Sequence, residues 1–248
     1  MKVLFLGVGE AFDEALSNNA HLILSESTIL LDCGYSIPPS LWQYNDNQSF
    51  LDAIYISHPH ADHYFGLPAL LARMWEGKRE KPLTILCPQG TTEAILQVIR
   101  LGYSGILERL AFRLDIIEAE EFNSITFREF TITCAPTSHS ANNFAIKLEN
   151  GMNKICYSGD GMFNGQTERL YADADLVIHE AYSLDQDIPG HANIKDLIQM
   201  AQRNRVKCLA VTHLQREFRK HEIEKLKKEC ESAPVDIIIP EPLDEYVF

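Results

Sequence analysis

One hexapeptide limits what this chain can fold into more than any other stretch: His58-Pro59-His60-Ala61-Asp62-His63. It follows the apolar run Ala53-Ile54-Tyr55-Ile56-Ser57 and precedes an amphipathic segment that begins near Leu67. Crowded imidazoles are costly without a partner, so neither a packed core nor a solvated face explains three of them beside a carboxylate. His58 and His60, two positions apart, point the same way from an extended backbone. Asp62 and His63 follow where the chain must turn, which lets them reach a second ion beside the first. The spacing suits two metals better than one, presented at the end of a strand.

The 248 residues can bury a substantial core, and one domain spanning residues 1–248 is expected. With 46% hydrophobic and 23% charged residues the composition is that of a globular protein. The 22 Lys+Arg against 35 Asp+Glu give a net charge of −13. Such a surface repels nucleic acid, so a polyanionic substrate would need a local basic patch or metal ions. The six cysteines form no Cys-x-x-Cys pair and mostly lie in apolar runs, so they read as reduced small hydrophobes. The apolar run of Met1 to Gly7 is too short for a signal peptide, and no run reaches membrane-spanning length. A cytoplasmic protein with no membrane partner is expected.

Strands are predicted over Val3–Leu6, His21–Leu24, Thr28–Asp32, Leu83–Cys87, Phe112–Ile117, Ile125–Ala135, Phe144–Leu148, Lys154–Ser158, Leu176–His179, Cys208–Thr212 and Val235–Ile239. Residues 21–32 read as one hairpin, and Asn150-Gly151 turns another. Pro38-Pro39 through Ser49 reads as a loop, with Trp42 and Tyr44 as packing aromatics. A helix is predicted from Leu67, Leu70, Leu71, Met74 and Trp75, and a second over Thr91–Leu101 with Ala94, Ile95, Val98 and Leu101 inward. Ile194, Leu197, Ile198 and Ala201 mark a third, and Glu217–Cys230 is a charged surface helix. The second half repeats the mixture of the first, which points to an α/β fold of two packed sheets with helices outside.

Further donors repeat the theme of the hexapeptide, each directly after an apolar strand: His139, Asp160, His179-Glu180 and His213. Singly, such a residue is more often structural. Together with the first cluster, His139, Asp160 and His213 make seven oxygen and nitrogen donors, about what two neighbouring ions require with positions left for water. Strand-end residues of one sheet converge on one edge, which is how distant sequence builds a site. His21, His179 and His221 read as structural.

In order, His58-x-His60-x-Asp62-His63, His139, Asp160 and His213 resemble the five-motif pattern of the metallo-β-lactamase superfamily, over almost the whole chain. The Asp62 turn, His179-Glu180-Ala181-Tyr182 and His191-Ala192-Asn193 are most similar to the ribonuclease Z (tRNA 3′-processing) branch and its phosphodiesterase relatives. The resemblance implies a four-layer αβ/βα sandwich of two mixed sheets. It implies that His58, His60 and His139 hold one zinc, that Asp62, His63 and His213 hold the other, and that Asp160 bridges them. Manganese or iron would also suit the imidazole and carboxylate donors. A homodimer is implied by the resemblance alone. The chain departs from the branch in two ways. A single hairpin fills the interval between His139 and Asp160, where ribonuclease Z enzymes usually carry an arm that grips tRNA. Tyr182 and Ala192-Asn193 also replace threonine-containing signatures. Both departures, with the acidic balance, argue against tRNA recognition.

The expected chemistry is phosphodiester hydrolysis, of RNA or a small molecule, by a hydroxide bridging two metals about 3.5–4 Å apart. Asp62 would orient the nucleophile and accept its proton, and His191, steered by Glu180, would protonate the leaving oxygen. Arg216, three positions after His213, would contact substrate phosphate. A carbon-centred hydrolase, a lactonase or thioesterase, is the alternative on the same metals, and His191→Ala should hurt it little. A non-catalytic metal-stabilised scaffold would not need so full a donor set.

Overall fold

Alternation within the apolar runs decides where each strand sits. In β1 (Lys2–Gly7), Val3 and Phe5 face one way and Leu4 and Leu6 the other, and all four are buried. A strand buried on both faces belongs inside a stack of layers. The computed structural model, which describes residues 1–248, has this arrangement: two seven-stranded sheets face to face, with helices over both outer faces.

The first sheet runs β14 (Glu245–Val247), β1, β2 (Ala20–Leu24), β3 (Thr28–Leu31), β4 (Ala53–Tyr55), β5 (Leu83–Pro88), β6 (Leu114–Ala119). The second runs β13 (Asp236–Ile238), β12 (Cys208–Thr212), β11 (Leu176–Glu180), β10 (Lys154–Tyr157), β9 (Phe144–Glu149), β8 (Phe130–Pro136), β7 (Ile125–Phe127). Each half of the chain opens with antiparallel pairs and closes with parallel ones: β3 to β6 are parallel in the first sheet, β10 to β13 in the second.

Val3, Phe5, Leu31 and Tyr55 meet Phe130, Ile146, Tyr157 and Ile178 between the sheets. Leu4, Leu22, Leu30 and Ile54 point outward to α1 (Ile37–Tyr44), α3 (Leu67–Glu76) and α4 (Thr92–Gly102). Cys156, Val177, Leu209 and Val211 do the same toward α5 (Gly165–Tyr171) and α6 (Ile194–Arg203). Each fully buried aliphatic or aromatic side chain contributes roughly 1.5–3 kcal/mol, and three apolar layers gather these contributions across the sandwich. The predicted four-layer αβ/βα sandwich is the fold observed. The last helix, α7 (Arg216–Glu231), buries only Leu226 and is the charged surface helix the sequence predicts. No helix is long and apolar enough to cross a membrane.

Several local expectations are corrected. Pro38-Pro39 does not open a loop but the first turn of α1, where a missing N–H costs nothing and the fixed φ suits a helix. Trp75 is 42% exposed and Leu101 87% exposed, so neither packs inward. In α3 the buried face is Leu67, Leu70, Leu71 and Met74; in α4 it is Ile95, Val98 and Ile99, and seven positions after Ile95 comes Gly102, not Leu101. Gly102 lies so close to Pro68 that a Cβ there would stand 2.4 Å from the ring. The single strand expected over Ile125–Ala135 is a hairpin, β7 and β8, which turns at Arg128 with φ of 51°. Helix α5 and strand β14 carried no signal strong enough to predict.

Candidate active site

β8 and β10 both run antiparallel to β9, so they share a direction, and β11 and β12 continue it in parallel. Residues just past the C-terminal ends of β8, β10, β11 and β12 therefore meet at one edge. In the first sheet β4 ends at the same place and passes through His58 and His60 into a one-turn helix, α2 (Ala61–Tyr64), that carries Asp62 and His63. The seven ligand candidates from residues 58 to 213 are gathered there. His58, His60, His139 and Asp160 form one group, and Asp62, His63, Asp160 and His213 another, each with its donor atoms within 4.8 Å of one another. Asp160 belongs to both.

Hydrogen bonds fix which ring nitrogens face inward. Ser57 Oγ donates to Asp32, so His58 Nδ1–H donates to Ser57 Oγ at 3.0 Å and leaves Nε2 bare. His63 Nδ1–H donates to Asp32 at 2.7 Å, and His139 Nδ1–H to the Gly190 carbonyl at 3.0 Å. The outer partner of each ring thus sets the tautomer that turns a lone pair toward the centre. His58 Nε2 and His60 Nδ1 lie 3.0 Å apart, and His60 Nδ1 and His139 Nε2 3.3 Å. His63 Nε2 approaches Asp62 at 3.1 Å and Asp160 at 3.3 Å, and His213 Nε2 approaches the same two carboxylates at 3.5 and 3.6 Å.

These inward atoms are not satisfied by the protein itself. His63 Nε2, Asp160 Oδ1 and His213 Nε2 are buried with no hydrogen-bond partner. Each such orphan costs about 1–3 kcal/mol, a cluster of them only where something else completes the site. Converging imidazole lone pairs and carboxylate oxygens fit divalent cations. Against burial, Asp160 raises His63 well above its ordinary value and His213 to about 9, so without a cation protons stand on these rings where a metal would otherwise bind. Burial works to raise the Asp160 carboxyl, but His213 and His63 hold it well below the usual carboxylate range. Asp62 is likewise drawn down against burial by His63. Both are ionised at neutral pH.

Asp32, which follows β3, is the residue sequence reasoning missed. It is wholly buried and accepts from Ser57 N and Oγ, from Tyr157 Oη at 2.6 Å and from His63 Nδ1. One carboxylate thereby orients His63 directly and His58 through Ser57. Its signal was present: Ile29-Leu30-Leu31-Asp32 is an ionisable residue directly after an apolar strand, like the others. Asp32 and His213 also share a left-handed backbone, with φ of 60° and 57°. Such conformations are uncommon outside glycine and gather where a site imposes them.

Glu180, at the end of β11, is also wholly buried. Its Oε1 accepts from Gly161 N at 3.1 Å and Ala192 N at 2.9 Å, and lies 3.3 Å from His191 Nδ1. Burial pushes this carboxyl up. Burial opposes protonation of His191, but Glu180 beside it prevails and raises the imidazole above its ordinary value. The His191 ring is stacked on Tyr182, with centroids 4.4 Å apart. Arg216 does not line the cleft; its Nη1 pairs with the buried Glu10 at 2.7 Å and ties the β1–β2 loop to α7. His179 and His21 are buried among aromatic rings outside the cleft, and His221 stands exposed on α7.

His60, Asp62, His139, Asp160, His191 and His213 line a cleft of about 390 Å³ that also takes in Phe12, 74% exposed, and Tyr35, 50% exposed, while His58 and His63 lie wholly buried behind it. A larger depression of about 500 Å³ lies beyond Tyr182 beside α7, but its ionisable groups are all exposed or half-buried and do not converge.

Comparison with known proteins agrees with this geometry. Residues 1–231 match the family described as Anti-Pycsar protein Apyc1. The chain is 25% identical over 278 residues to ribonuclease Z of Methanothermobacter thermautotrophicus, covering 90% of this chain and 89% of that protein. It is 26% identical over 312 residues to ribonuclease Z of Methanocaldococcus jannaschii, covering 99% and 96%. Among solved structures it resembles the metallo-β-lactamase fold protein YhfI of Bacillus subtilis, with a TM-score of 0.83, 23% identity and coverage of 99% and 98%. Human tRNase Z, short form, gives a TM-score of 0.79, 24% identity and coverage of 100% and 99%. The chain belongs to the family described as Anti-Pycsar protein Apyc1, and it is a ribonuclease Z-like, metal-dependent hydrolase with the metallo-β-lactamase fold.

Proposed function

We propose that the protein is a dinuclear metallophosphodiesterase that acts on a small phosphodiester. The observation that carries this reading is the position of Asp160, whose buried carboxylate belongs to both four-residue donor groups. One carboxylate common to two groups, with bare ring nitrogens on either side, suits a pair of ions rather than one. His58, His60 and His139 would hold the first, Asp62, His63 and His213 the second, and Asp160 both. Their nitrogen and oxygen donors favour zinc. Such a pair supplies an acidified water and positive charge for a phosphoryl oxygen.

The remaining steps belong to the chain. Asp62, ionised and bordering the cleft, orients the attacking water and takes its proton. Glu180 beside Nδ1 favours the doubly protonated ring of His191, whose Nε2 proton passes to the leaving oxygen and leaves the neutral imidazole with its proton toward Glu180. The stack on Tyr182 holds the ring at the cleft wall. Arg216, already paired with Glu10, positions the β1–β2 loop rather than binding phosphate. A cleft of about 390 Å³ is the size of a small-molecule site. The net charge of −13 and the short β9–β10 hairpin between His139 and Asp160 favour a small diester over tRNA.

The test is metal analysis followed by turnover of a chromogenic phosphodiester, an aryl ester and a lactone, with precursor tRNA as a fourth substrate. Diester hydrolysis is expected, and His191→Ala should lower its kcat by about 10²-fold or more without changing metal content. Lactone hydrolysis without diester hydrolysis would reassign the protein to carbon-centred chemistry.

A further inference from the structure

Asp160 must be held where two donor groups meet, yet it lies beyond the sheet that would hold it. The last strand pairing of β10 is at Tyr157, and Ser158 N still donates to Ile178 O at 3.0 Å. Beyond Ser158 the ladder resumes only at the isolated Ser138–Met162 bridge, so Gly159, Asp160 and Gly161 have no strand partner. The turn is abnormal as well: Gly159 has φ of 61° and Gly161 φ of 104°, so residues with positive φ flank the ligand on both sides. A Cβ on Gly159 would stand 2.3 Å from Asn143 Oδ1, and one on Gly161 2.5 Å from Thr137 Oγ1. The turn is therefore pressed against the loop between β8 and β9, which carries His139.

Asn143 makes that contact. It is 1% exposed, and its amide spans the two loops. Oδ1 accepts from Asp160 N at 3.2 Å. The two N–H groups of Nδ2 serve three acceptors, one of them shared: Asp160 O at 2.6 Å, Ser158 O at 2.8 Å and Thr137 Oγ1 at 2.8 Å. Thr137 Oγ1 in turn donates to Asp160 O at 2.8 Å. The amide can face only one way, because an N–H lies on its oxygen side and carbonyls lie on its nitrogen side. The backbone of Asn143 closes the other loop: Thr137 N donates to Asn143 O at 3.0 Å across the segment that bears His139. One residue thus satisfies both main-chain groups of Asp160 and closes the loop of His139.

We propose that Asn143 is the positioning residue of the metal site, setting the Asp160 carboxylate in register with His139. The inference rests on the two-metal reading but concerns a residue outside both donor groups. It predicts unequal damage. The Asn143 side chain holds Asp160 directly and the loop of His139 through Thr137 Oγ1, two members of the group with His58 and His60, whereas in the group of Asp62, His63 and His213 it holds Asp160 alone. Partners that orient ligands in this way typically govern 10–100-fold in metal affinity.

The experiment uses the full chain, stripped with a chelator and titrated with Co²⁺ by absorption and with Zn²⁺ by equilibrium dialysis, beside urea unfolding of the stripped protein. Asn143→Ala is compared with Asn204→Ala, which loses side-chain bonds to Glu168 and Met200 O at the end of α6, away from the site. The expected result is two binding steps in the wild type and in Asn204→Ala. In Asn143→Ala one step should weaken at least tenfold, while its unfolding midpoint falls no further than that of Asn204→Ala. Should Asn143→Ala not fold, the near-isosteric Thr137→Val carries the test, with a severalfold loss in the same step expected. Wild-type affinity in Asn143→Ala, or in Thr137→Val where it stands in, would overturn the proposal. A wild-type chain that binds no metal would overturn the two-metal reading itself, and this inference with it.

Discussion

The two halves of the chain contribute to the site in opposite ways. The first half supplies His58, His60, Asp62 and His63 from one contiguous stretch that leaves β4 and turns through α2. The second supplies His139, Asp160 and His213 one at a time, each from just beyond a different strand. A contiguous turn keeps its donors together by covalent connection, whatever the sheets do. The scattered donors meet only if β8, β10 and β12 are in register, so their placement depends on the tertiary fold. The scattered set nevertheless contains the one carboxylate common to both donor groups. The half that is weaker as a motif is the more exposed to loss.

That contrast can be broken by comparing a loss from each half. Asp160→Asn should lower kcat on a phosphodiester by about 10²–10³-fold and reduce the metal content of both positions. His60→Ala, from the contiguous turn, should empty one position and spare the other. Metal-to-chain ratios of the two variants check this, and equal loss in both would erase the distinction.

A smaller effect is expected from Asp32→Asn, which keeps the size and the tolerance for a left-handed backbone but removes the charge facing His63. Metal affinity should fall about 10–100-fold, with the loss centred on the group containing His63. Titration with Co²⁺ measures it. An unchanged affinity would show that the contiguous turn needs no support from β3.

The smallest effect concerns stability against acid, and it compares the sheets rather than the loops. Each sheet buries a neutral imidazole: His21 on β2, depressed by burial to about 3, and His179 on β11, depressed by burial to about 4. The unfolded chain takes up these protons near pH 6.5, before the folded one does. Folding stability from both groups is thus fully present above pH 6.5 and is lost as pH falls toward 4. Urea midpoints of the metal-stripped protein should fall between pH 7 and 4.5, and His179→Leu should flatten that slope. An unchanged slope in His179→Leu would contradict the burial of that ring as a neutral species.

Legibility in the sequence followed the same division between local and long-range order. The hexapeptide was readable because its chemistry is local. His139, Asp160 and His213 were readable only because the same pattern, a donor after an apolar strand, recurred. Asp32 obeys that pattern too, but Cys33 and Gly34 after it made it look like the end of a hairpin. Asn143 carried no signal, since an amide beside a second asparagine reads as loop until its partners are known. The layers were legible from apolar periodicity. Helix α1 was not, because two prolines mark a break unless they occupy a first turn, and Trp75 and Leu101 show that hydrophobicity alone does not select the buried face.

On the proposed two-metal reading, Asp160 stands between two cations. A crystal structure of the zinc-loaded protein with anomalous data at the zinc edge tests it most directly. Two anomalous peaks per chain are expected, one beside His58, His60 and His139 and one beside Asp62, His63 and His213, with the Asp160 carboxylate touching both. A single peak, or two peaks with Asp160 bound to neither, would contradict it.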